Sequence, residues 1–551
     1  MTPASPDGHQ TPGTHLARRL TGEPRRHLII PVMPTPNGRL HLGHVAGPFL
    51  KCDVLARHLR RAGHEVWIIS GSDAYESYVL LKSGQTGETP AEIARMNHHL
   101  IDQDLHSLDI VYDEWISPLH PQWKDLHDGM QLDVLRHFTE TGKAVRRLEK
   151  VPYDPKDNRF IMGCWLLGRC PVCGANAGGY CCENCGAHFS PEEIQSPRSR
   201  GGGATSEVEV ESLFLKLSDP EKIREIVSRM HLPDAFTRAA DVYLQHKTDV
   251  RLTNPGRWGV AWPVAAGDLP HVVYSHTGLF SYSLTCGSVY QQLTSDPVHP
   301  FHPDSNVVTI ATFGLDNASF YLIGVLGSAL EHTAYRPFDH YLGNYFLNLE
   351  NHKFSTSRNH VIWASDLVGR TSISSDLARM FLARISPEEW VSNLDIDELV
   401  SFVNEDFGAS LQATLAAASR QIECEVEPTS PPPALMDAFV EALKAQIAAL
   451  SPNNFSLRRA VRAIEDWLAS GMSYCDTPAR AYWWLKSFAL LVHPLMPRLG
   501  EDLWQKLGHA DQPTMAKFFD ETEPLRRPLN YRHTPTSREE ILTATALQKE
   551  D

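Results

Sequence analysis

The sequence lacks any apolar run close to the ~18–20 residues that a membrane-spanning helix needs. Its opening segment, residues 1–26, is polar and broken by Pro and Gly. Because no basic start leads into an apolar stretch there, the segment does not have the pattern of a secretory leader. We therefore expect a cytoplasmic protein that does not contact a membrane and has a disordered N-terminal segment over residues 1–26.

Cysteine is scarce outside one short segment, since six of the ten cysteines lie between Cys164 and Cys185. This clustering is typical of a local metal site in a reducing compartment and argues against a disulfide framework. An excess of positive charge is also missing. The formal net charge of -15 over 551 residues disfavours indiscriminate binding of nucleic acid, although it leaves a local basic groove open.

A β-α-β unit is predicted at the start of the ordered chain. Residues 27–33 form an apolar, β-branched run that predicts a strand, and residues 34–38 have the composition of a turn. Apolar residues then recur at helical spacing over residues 40–62, and residues 65–70 predict a second strand. Ligands of such a unit bind beyond the carboxyl ends of its strands, so the first loop and residues 71–73 should share one rim.

Composition divides the rest of the chain. Residues 153–197 are rich in Cys, Gly and Pro, which indicates an insertion that splits the sheet; the sheet resumes at residues 272–274 and 307–313. The fold class is α/β, with a Rossmann-type parallel sheet followed by an α-helical domain. The helices of that domain are predicted at residues 411–420, 436–450, 457–468 and 481–495. The expected parts are the sheet's first half at 27–145, the insertion at 146–245, the sheet's second half at 246–345, a loop-bearing region at 346–403, the helical domain at 404–525 and a polar, poorly ordered tail at 526–551.

Two histidines follow the first strand, in the run Pro-Thr-Pro-Asn-Gly-Arg-Leu-His-Leu-Gly-His that ends at His44. His41 and His44 are three residues apart, so both side chains should lie on one face of a helix start. A helix N-terminus favours an anion, and Gly43 would let a phosphate approach the backbone closely. The alternative is a pair of surface histidines beside a tight turn.

A four-cysteine metal site is predicted in the insertion. Two Cys-x-x-Cys pairs, each followed by Gly, are separated by eight residues. This spacing is typical of closed tetrahedral Zn²⁺ coordination that stabilises a fold and does not catalyse. The ligands would be Cys170, Cys173, Cys182 and Cys185, whereas Cys164 and Cys181 are out of register and are predicted to be bystanders.

The histidine motif resembles the HIGH-type signature of class I aminoacyl-tRNA synthetases, and it is most similar to the methionyl branch. Phe313-Gly-Leu-Asp316 is similar to that family's Gly-x-Asp segment, and residues 353–357, Lys-Phe-Ser-Thr-Ser, stand where its mobile KMSKS loop should be. The methionyl branch also carries cysteine knuckles in its insertion. Three ordered matches over about 320 residues imply the class I synthetase fold, with the Rossmann sheet split by a zinc knuckle.

The resemblance implies that an amino-acid carboxylate attacks the α-phosphate of ATP in the presence of Mg²⁺, and that the acyl group of the adenylate is then transferred to an acceptor. The implied catalytic residues are His41, His44 and Lys353. The implied ATP-binding residues are Asn37, Gly38, Gly43, Gly314, Asp316, Ser355, Ser357 and Arg358. The implied amino-acid-binding residues are Met33, Thr35, Asp73, Ser275, His276, Gly278, Tyr282 and Tyr321.

The sequence departs from this family at three places. Thr356 replaces the second lysine of the KMSKS loop, which removes a cation from the departing pyrophosphate. The amino-acid pocket loses two aromatic walls, at Thr35 and Ser275, and becomes less apolar. The third departure concerns anticodon binding by the helical domain. Ala416 stands where the family has an anticodon-binding Asn, and residues 473–480 contain no Trp for base stacking. Residues 401–551 hold 15 Lys and Arg against 20 Asp and Glu, a charge balance that disfavours binding of phosphates.

Three functional hypotheses follow. The first is a ligase that adenylates an α-amino acid other than methionine and passes it to a small amine or hydroxylamine in natural-product biosynthesis. It resembles synthetase-derived enzymes that are sometimes linked to a cupin, which here would be a separate protein because the chain has no His-x-His cluster. The second is a genuine methionine–tRNA ligase that charges tRNA(Met). The third is a catalytically silent amino-acid sensor.

Overall fold

A computed structural model describes residues 11–551 of the protein, except residues 183, 186, 204, 264–268, 423–429, 521, 523, 525–530, 532–533, 546 and 548–551 and the side chains of residues 276, 277 and 357. The expectation for residues 1–10 and the side-chain roles of His276 and Ser357 therefore lie outside the described part. No helix in that part is both long and apolar enough to cross a lipid bilayer.

The first half of the α/β region alternates strands and helices as the sequence predicts. Its elements are α1 (Pro12–Thr21), β1 (Arg26–Pro31), α2 (Leu42–His44), α3 (Leu50–Arg61), β2 (Glu65–Gly71), α4 (Ser77–Thr86), α5 (Pro90–Ser107), β3 (Glu114–Ile116) and α6 (Pro121–Glu140). The helix predicted over residues 40–62 is interrupted by a π-helical turn, Val45–Phe49. Pro48 lies in that turn and has no N–H for the helical ladder, while Gly47 leaves the helical conformation.

The insertion consists mainly of small antiparallel sheets. Its elements are β4 (Ala144–Asp154), β5 (Arg159–Phe160), β6 (Leu166–Arg169), β7 (Asn176–Gly178), β8 (Gln195–Ser199), β9 (Ser206–Lys216), α7 (Pro220–Arg229), α8 (Asp234–His246) and β10 (Asp249–Arg251). Four of these strands form a sheet in the order β10-β9-β4-β5, and the Cys-rich segment forms a second sheet in the order β7-β6-β8.

The second half of the α/β region returns the chain to the main sheet. Its elements are β11 (Thr253–Pro255), β12 (Ala261–Trp262), β13 (His271–Val273), α9 (Ser275–Thr294), β14 (Val308–Gly314), α10 (Leu326–His332) and β15 (His340–Asn344). The main sheet has the order β15-β14-β1-β2-β3, and all four of its strand pairs are parallel. The expectation that residues 272–274 rejoin this sheet is wrong, because β13 pairs antiparallel with β11 and β12 in a separate three-stranded sheet. The chain moves outward from β1 in both directions, so the strand order reverses between β1 and β14, and ligands of open α/β sheets bind at such a point.

The remaining elements form a small loop-bearing sheet and a helical domain. They are β16 (Leu347–Leu349), β17 (His352–Lys353), α11 (Ala364–Arg370), α12 (Ser375–Arg384), β18 (Ser392–Leu394), α13 (Ile396–Ser401), α14 (Phe407–Ile422), α15 (Pro433–Ala449), α16 (Leu457–Ser470), α17 (Pro478–Val492), α18 (Pro497–Lys506) and α19 (Arg538–Thr545). Residues 481–492 of helix α17 are all buried, so α17 is the central helix of this domain.

The disorder expected at both ends of the chain is wrong for two segments. Residues Pro12–Thr21 form helix α1, and Thr11 Oγ1 caps it by accepting a hydrogen bond from the Thr14 amide at 3.2 Å. The helix packs tightly, since a Cβ added to Gly13 would lie 2.3 Å from the Ala516 carbonyl oxygen. In the C-terminal tail residues Arg538–Thr545 form helix α19, and Arg538 pairs with Glu350 at 3.0 Å. Tertiary contacts order both segments, and such contacts cannot be predicted from the local composition of the sequence.

Candidate active site

A cavity of about 490 Å³ lies where the carboxyl ends of β1 and β14 diverge. The loop after β1, the start of α2 and the segment after β14 all contribute to its wall. Ten of the residues implied by the family resemblance line it, namely Met33, Thr35, Asn37, Gly38, His41, Gly43, His44, Gly314, Asp316 and Lys353. The first loop of the predicted rim therefore lines a cleft, and Asp73 lies against that loop, its amide donating to the Pro34 carbonyl oxygen at 3.1 Å.

The two histidines form a stacked pair. Their ring centroids are 3.7 Å apart, which confirms that His41 and His44 lie on one face. Burial lowers the pKa of His41 well below its ordinary value, with the neighbouring His44 adding to the effect, and the surrounding protein lowers the pKa of His44 to about 4 even though that side chain opens onto the cavity. Both imidazoles are therefore uncharged near neutral pH and can donate N–H hydrogen bonds to a phosphate.

The KMSKS-like loop is folded down onto this pair. The Phe354 ring stacks on the His41 ring with a centroid distance of 4.6 Å, and only 8% of Phe354 is exposed. Gly43 makes this approach possible, because a Cβ there would lie 2.9 Å from the Phe354 ring. Lys353 is exposed at the cavity wall, and its Nζ lies 5.1 Å from the centroid of the Phe346 ring.

The remainder of the loop makes a tight turn. The backbones of Ser355 and His360 exchange two hydrogen bonds, of 3.0 and 2.9 Å, and residues Thr356–Arg358 form one turn of 3-10 helix. Ser355 is half-buried and Arg358 is exposed, and neither is in the wall of the central cavity. The predicted ATP contacts of this loop are thus only partly assembled in this conformation.

Asp316 lies directly beyond the end of β14. A Cβ at Gly314 would be 2.4 Å from Asp316 Oδ1, so a residue without a side chain is required for the carboxylate to fold back over the strand end. On the opposite wall the loop after β1 turns sharply, and the Asn37 amide donates to the Thr35 carbonyl oxygen at 2.9 Å. Asp316 and Asn37 therefore face the same cleft from two strands.

A small chamber of about 20 Å³ adjoins the central cavity at Met33. Three further residues of the implied amino-acid set, Asp73, Ser275 and Gly278, line it. Gln131 closes one side, donating from Nε2 to the Gly278 carbonyl oxygen at 3.1 Å. A chamber of this size holds about one water, so an amino-acid side chain would have to open it.

Two tyrosines of the implied set lie outside these walls. Tyr282 is 1% exposed and packs against the end of β2. Its Oη lies so close to Gly71 that a Cβ at that position would be only 2.5 Å away. Tyr321 is 2% exposed and stacks on Phe313 with ring centroids 4.3 Å apart. Both rings are core residues in this conformation.

Two carboxylates stand at the junction of the cavity and the chamber. Burial raises the pKa of Asp73 to about 7, and the negative charge of Glu76 adds to that shift. Glu76 is 8% exposed and caps α4, with Oε2 accepting from Ser77 Oγ at 2.9 Å and from the Tyr78 amide at 3.3 Å. A bound ammonium group would relieve the repulsion between these carboxylates, so the pair suits a cation.

The four predicted cysteine ligands come together in the insertion. The Sγ atoms of Cys170 and Cys185 are 3.7 Å apart, those of Cys173 and Cys182 are 3.6 Å apart, and all four lie within 4.8 Å of one another. A Zn–S bond of about 2.3 Å in a tetrahedral site gives sulfur separations of roughly 3.8 Å. Four thiolates that converge at this spacing fit a zinc ion.

Sequence reasoning missed the residues that hold the histidine loop in place. The buried Asp104 of α5 accepts from the Leu40 amide at 2.9 Å and from Arg39 Nη2 at 2.9 Å. Arg39 lines the central cavity, as do Asn344 at the end of β15 and Glu76. Asn344 could have been found as a polar residue at a strand end, whereas nothing in the local sequence connects Asp104 with a loop more than 60 residues away.

Comparison with known proteins agrees with this geometry. Residues 27–418 match the family model described as tRNA synthetases class I (M). A methionine–tRNA ligase of Cytophaga hutchinsonii is 27% identical over 384 residues, which are 67% of this chain and 55% of that protein. One from Thermofilum pendens is 26% identical over 518 residues, 88% of this chain and 90% of that protein. The chain thus spans about half the length of the first of these relatives and most of the second.

Solved structures show the same fold. The structure of Mycobacterium tuberculosis methionyl-tRNA synthetase in complex with methionyl-adenylate has a TM-score of 0.71 and 16% identity, and the match covers 92% of this chain and 99% of that one. The family model covers more than half of the chain and includes the strands, histidine pair and loop that form the cavity. This chain belongs to the family of class I tRNA synthetases (M) and is similar to methionyl-tRNA synthetases.

Proposed function

We propose that the chain is an ATP-dependent ligase that converts an amino acid into its aminoacyl-adenylate in the central cavity. A carboxylate oxygen of the amino acid attacks the α-phosphorus of ATP, and the bond from that phosphorus to the bridging oxygen breaks as pyrophosphate leaves. The neutral His41 and His44 would donate hydrogen bonds to phosphate oxygens, and Lys353 would place a cation beside the pyrophosphate. Asp316 would hold the ribose hydroxyls.

The observation that carries this proposal is the convergence of four groups on one cleft at the strand-order reversal. The histidine pair lies more than 270 residues before Asp316 and more than 300 before Lys353 in the chain, yet all of them line one cavity. Mg²⁺ would enter with the ATP phosphates and neutralise part of their charge. Ser355, Ser357 and Arg358 remain proposed ATP contacts that would form when the loop closes on the nucleotide.

For the substrates, the relatives support methionine and tRNA. The two relatives described above are methionine–tRNA ligases, and one of them matches this chain over most of its length. We therefore propose methionine as the first amino acid to test, with its ammonium group on Asp73 and its side chain in the opened chamber beside Met33 and Ser275. The acyl group would then pass to the terminal ribose of tRNA(Met).

A second candidate acceptor is a small amine or hydroxylamine, and a specific observation favours it. Thr356, Ala416 and the stretch 473–480 lack groups that the family uses for pyrophosphate and anticodon, while a second cavity, described below, adjoins the proposed adenylate site. A cupin partner would belong to this second candidate as a separate protein. Its amino acid could differ from methionine, because the pocket has the polar residues Thr35 and Ser275.

The cysteine cluster is proposed as a structural zinc site. Cys170, Cys173, Cys182 and Cys185 would supply all four ligands, which leaves no position for a substrate. A bound zinc ion would cross-link the knuckle and would take no part in the reaction. Because Cys181 and Tyr180 beside the ligand Cys182 line the central cavity, the metal would fix one wall of the active site.

ATP–pyrophosphate exchange across the twenty amino acids tests the proposal. We expect exchange with one amino acid, and we expect His41→Ala to slow it about 100-fold, because neutral donors aimed at the phosphates are lost. His302→Ala, an exposed histidine outside the cavity, should match the wild type. Absence of exchange with every amino acid would refute adenylation.

Charging assays then separate the acceptors. The same activated amino acid is offered to purified tRNA(Met) and to hydroxylamine. Aminoacyl-tRNA formation supports the tRNA hypothesis. Exchange without charging, together with hydroxamate formation that saturates as the hydroxylamine concentration rises, supports the small-acceptor hypothesis.

A further inference from the structure

A second cavity, of about 550 Å³, lies between the insertion and the sheet region, next to the proposed adenylate site. Its volume is in the range of pockets that bind small molecules. Six aromatic residues form much of its wall: Tyr75, Tyr153, Phe160, Trp165, Tyr180 and Trp258. Neither adenylate formation nor transfer to tRNA, as proposed above, uses this cavity.

The aromatic walls are held in place by internal contacts. Trp258 Nε1 donates to the Ala74 carbonyl oxygen at 3.0 Å, and the Tyr75 and Trp258 rings meet edge to face with centroids 5.5 Å apart. Asn254 Nδ2 donates to Tyr180 Oη at 2.8 Å. Because the rings are fixed without a ligand, binding would cost little ordering of side chains.

The wall also contains two buried polar atoms that could bind a ligand by hydrogen bonds. The Oδ1 of Asn254 and the Nε1 of Trp165 are both buried, and neither makes a hydrogen bond among the residues that the structure describes. Buried polar atoms normally have such a bond, so unpaired ones in a cavity wall mark a place where a polar ligand is accommodated.

The cavity adjoins both reactant sites. Glu76, Ser77 and Tyr180 line it together with the central cavity, and Tyr75 and Ser275 line it together with the small chamber. Ser275 Oγ donates to Glu76 Oε1 at 3.4 Å across this junction. A molecule in the second cavity would therefore lie next to the site proposed for the adenylate.

The cavity wall carries charges of both signs, which differ in burial. Glu76 is 8% exposed and supplies a carboxylate at the inner end, where this cavity meets the central one. At the outer end Arg257 is exposed and makes no ion pair within the described residues, and Arg159 lies with its guanidinium 3.7 Å from the Trp165 ring. Arg159 also pairs with Asp157 at 3.6 Å, so Arg257 is the cation more available to a ligand.

We propose that this cavity binds a second, small substrate that carries an ammonium group at one end and a carboxylate at the other, an ω-amino acid or a related amine acid, and presents its nitrogen to the adenylate. The ammonium would lie at Glu76, the chain along the aromatic rings and the carboxylate at Arg257. The proposal rests on adenylate formation for the transfer step, and the binding step is independent of it.

The transfer step balances as an amide synthesis. The ammonium releases one proton and becomes an amine, whose nitrogen lone pair attacks the acyl carbon. The new C–N bond replaces the bond from that carbon to the phosphate oxygen, AMP leaves with the bonding pair, and the nitrogen releases a second proton. Glu76 is placed to accept a proton from the nitrogen and pass it to solvent.

Titration calorimetry tests the binding step with the full chain. The ligands are β-alanine, γ-aminobutyrate and ε-aminocaproate, each compared with the alkylamine that lacks the carboxylate, up to pentylamine. We expect at least one amino acid to bind about ten-fold more tightly than its amine, as a charge-assisted pair with Arg257 would give. Arg257→Gln should remove that preference and leave the affinity for the alkylamine unchanged.

Arg146→Gln provides the matched control, because Arg146 is an exposed arginine of the insertion and lies outside this cavity. Equal affinities for acids and amines at every length, or a preference that survives in Arg257→Gln, would overturn the proposal. The amide product is then sought by mass spectrometry with ATP and the amino acid that supports exchange. Binding without pyrophosphate exchange would leave the cavity site standing and would refute adenylation instead.

Discussion

At the residue scale, Asp73 is a carboxyl group whose charge changes near neutral pH. Its carboxyl is held near the buried Glu76, and the two effects of burial and repulsion place its pKa at about 7. Most carboxyl groups are fully ionised at that pH. A carboxyl group that its surroundings keep half-protonated is typical of a site that binds a cation. The α-ammonium group of an amino acid meets that requirement.

We expect the KM for the amino acid in pyrophosphate exchange to rise as the pH falls below about 7, by about ten-fold for each unit, because only the ionised Asp73 binds an ammonium group. Glu76→Gln should move this dependence to lower pH, since it removes the negative charge that raises the pKa. Asp73→Asn should raise the KM and abolish its pH dependence. A KM of the wild type that is flat between pH 6 and pH 8 would contradict this role.

At the scale of elements, the loop after β17 and the start of α2 form one unit. Phe354 connects them by stacking on His41, and Thr356 occupies the turn where the family has a lysine. Thr356 is exposed, so a longer side chain there meets no core packing. The loop is therefore a place where activity can be changed without a change in stability.

Thr356→Lys should increase the rate of pyrophosphate exchange by about ten-fold or more, because the added ammonium group stabilises the charge on the departing pyrophosphate. Thr356→Gln has a similar length and no charge, so it should leave the rate near that of the wild type. Initial rates at saturating ATP distinguish these variants. An equal effect of Lys and Gln would show that length, and not charge, limits the loop.

The cysteine knuckle is a second element with a direct connection to the active site. We expect one zinc ion per chain by elemental analysis, and we expect Cys182→Ser to lose the metal and lower the melting temperature of the protein, because the insertion loses its cross-link. Exchange activity should fall with it, since Tyr180 and Cys181 form part of the cavity wall. Cys475→Ser, in the helical domain, should retain the metal.

At the scale of the whole molecule, buried arginines join the helical domain to the sheet region. Arg379 of α12 is fully buried, and its guanidinium donates to Asp53 Oδ2 at 2.6 Å, to the Leu108 carbonyl oxygen at 2.9 Å and to the Leu495 carbonyl oxygen at 2.9 Å. Arg61 likewise donates to Gln446 Oε1 at 2.6 Å. The position of the active-site half therefore depends on polar contacts with the C-terminal helices.

Arg379→Met should lower the free energy of unfolding by about 3 kcal/mol, because it removes one of the two arginine partners of the buried Asp53 and the hydrogen bonds to three carbonyl groups. Arg384→Met, on the same helix, removes a partly exposed pair with Glu465 and should cost no more than about 1 kcal/mol. Urea denaturation followed by tryptophan fluorescence measures both changes. Similar losses for the two variants would show that the buried network does not hold the domains together.

Much of the site could be predicted because its residues lie at strand ends and in short motifs. Gly314 ends β14 and Asp316 follows it, while His41 and His44 follow β1, so a parallel sheet brings all four to one edge. The four cysteines are likewise local, and short loops between paired ligands allow few arrangements. The order of the helices from residue 407 onward also agrees with the apolar periodicity of the sequence.

The sequence by itself determined the sheet, the cysteine cluster and the histidine pair, since each depends on periodicity or spacing within a short segment. Only the tertiary structure decided that the imidazoles are neutral, that Asp104 anchors the loop from another helix and that Tyr282 and Tyr321 belong to the core. The second cavity also exists only after the insertion has packed against the sheet region. Burial and contacts between distant segments set these features, and neither is a property of local sequence.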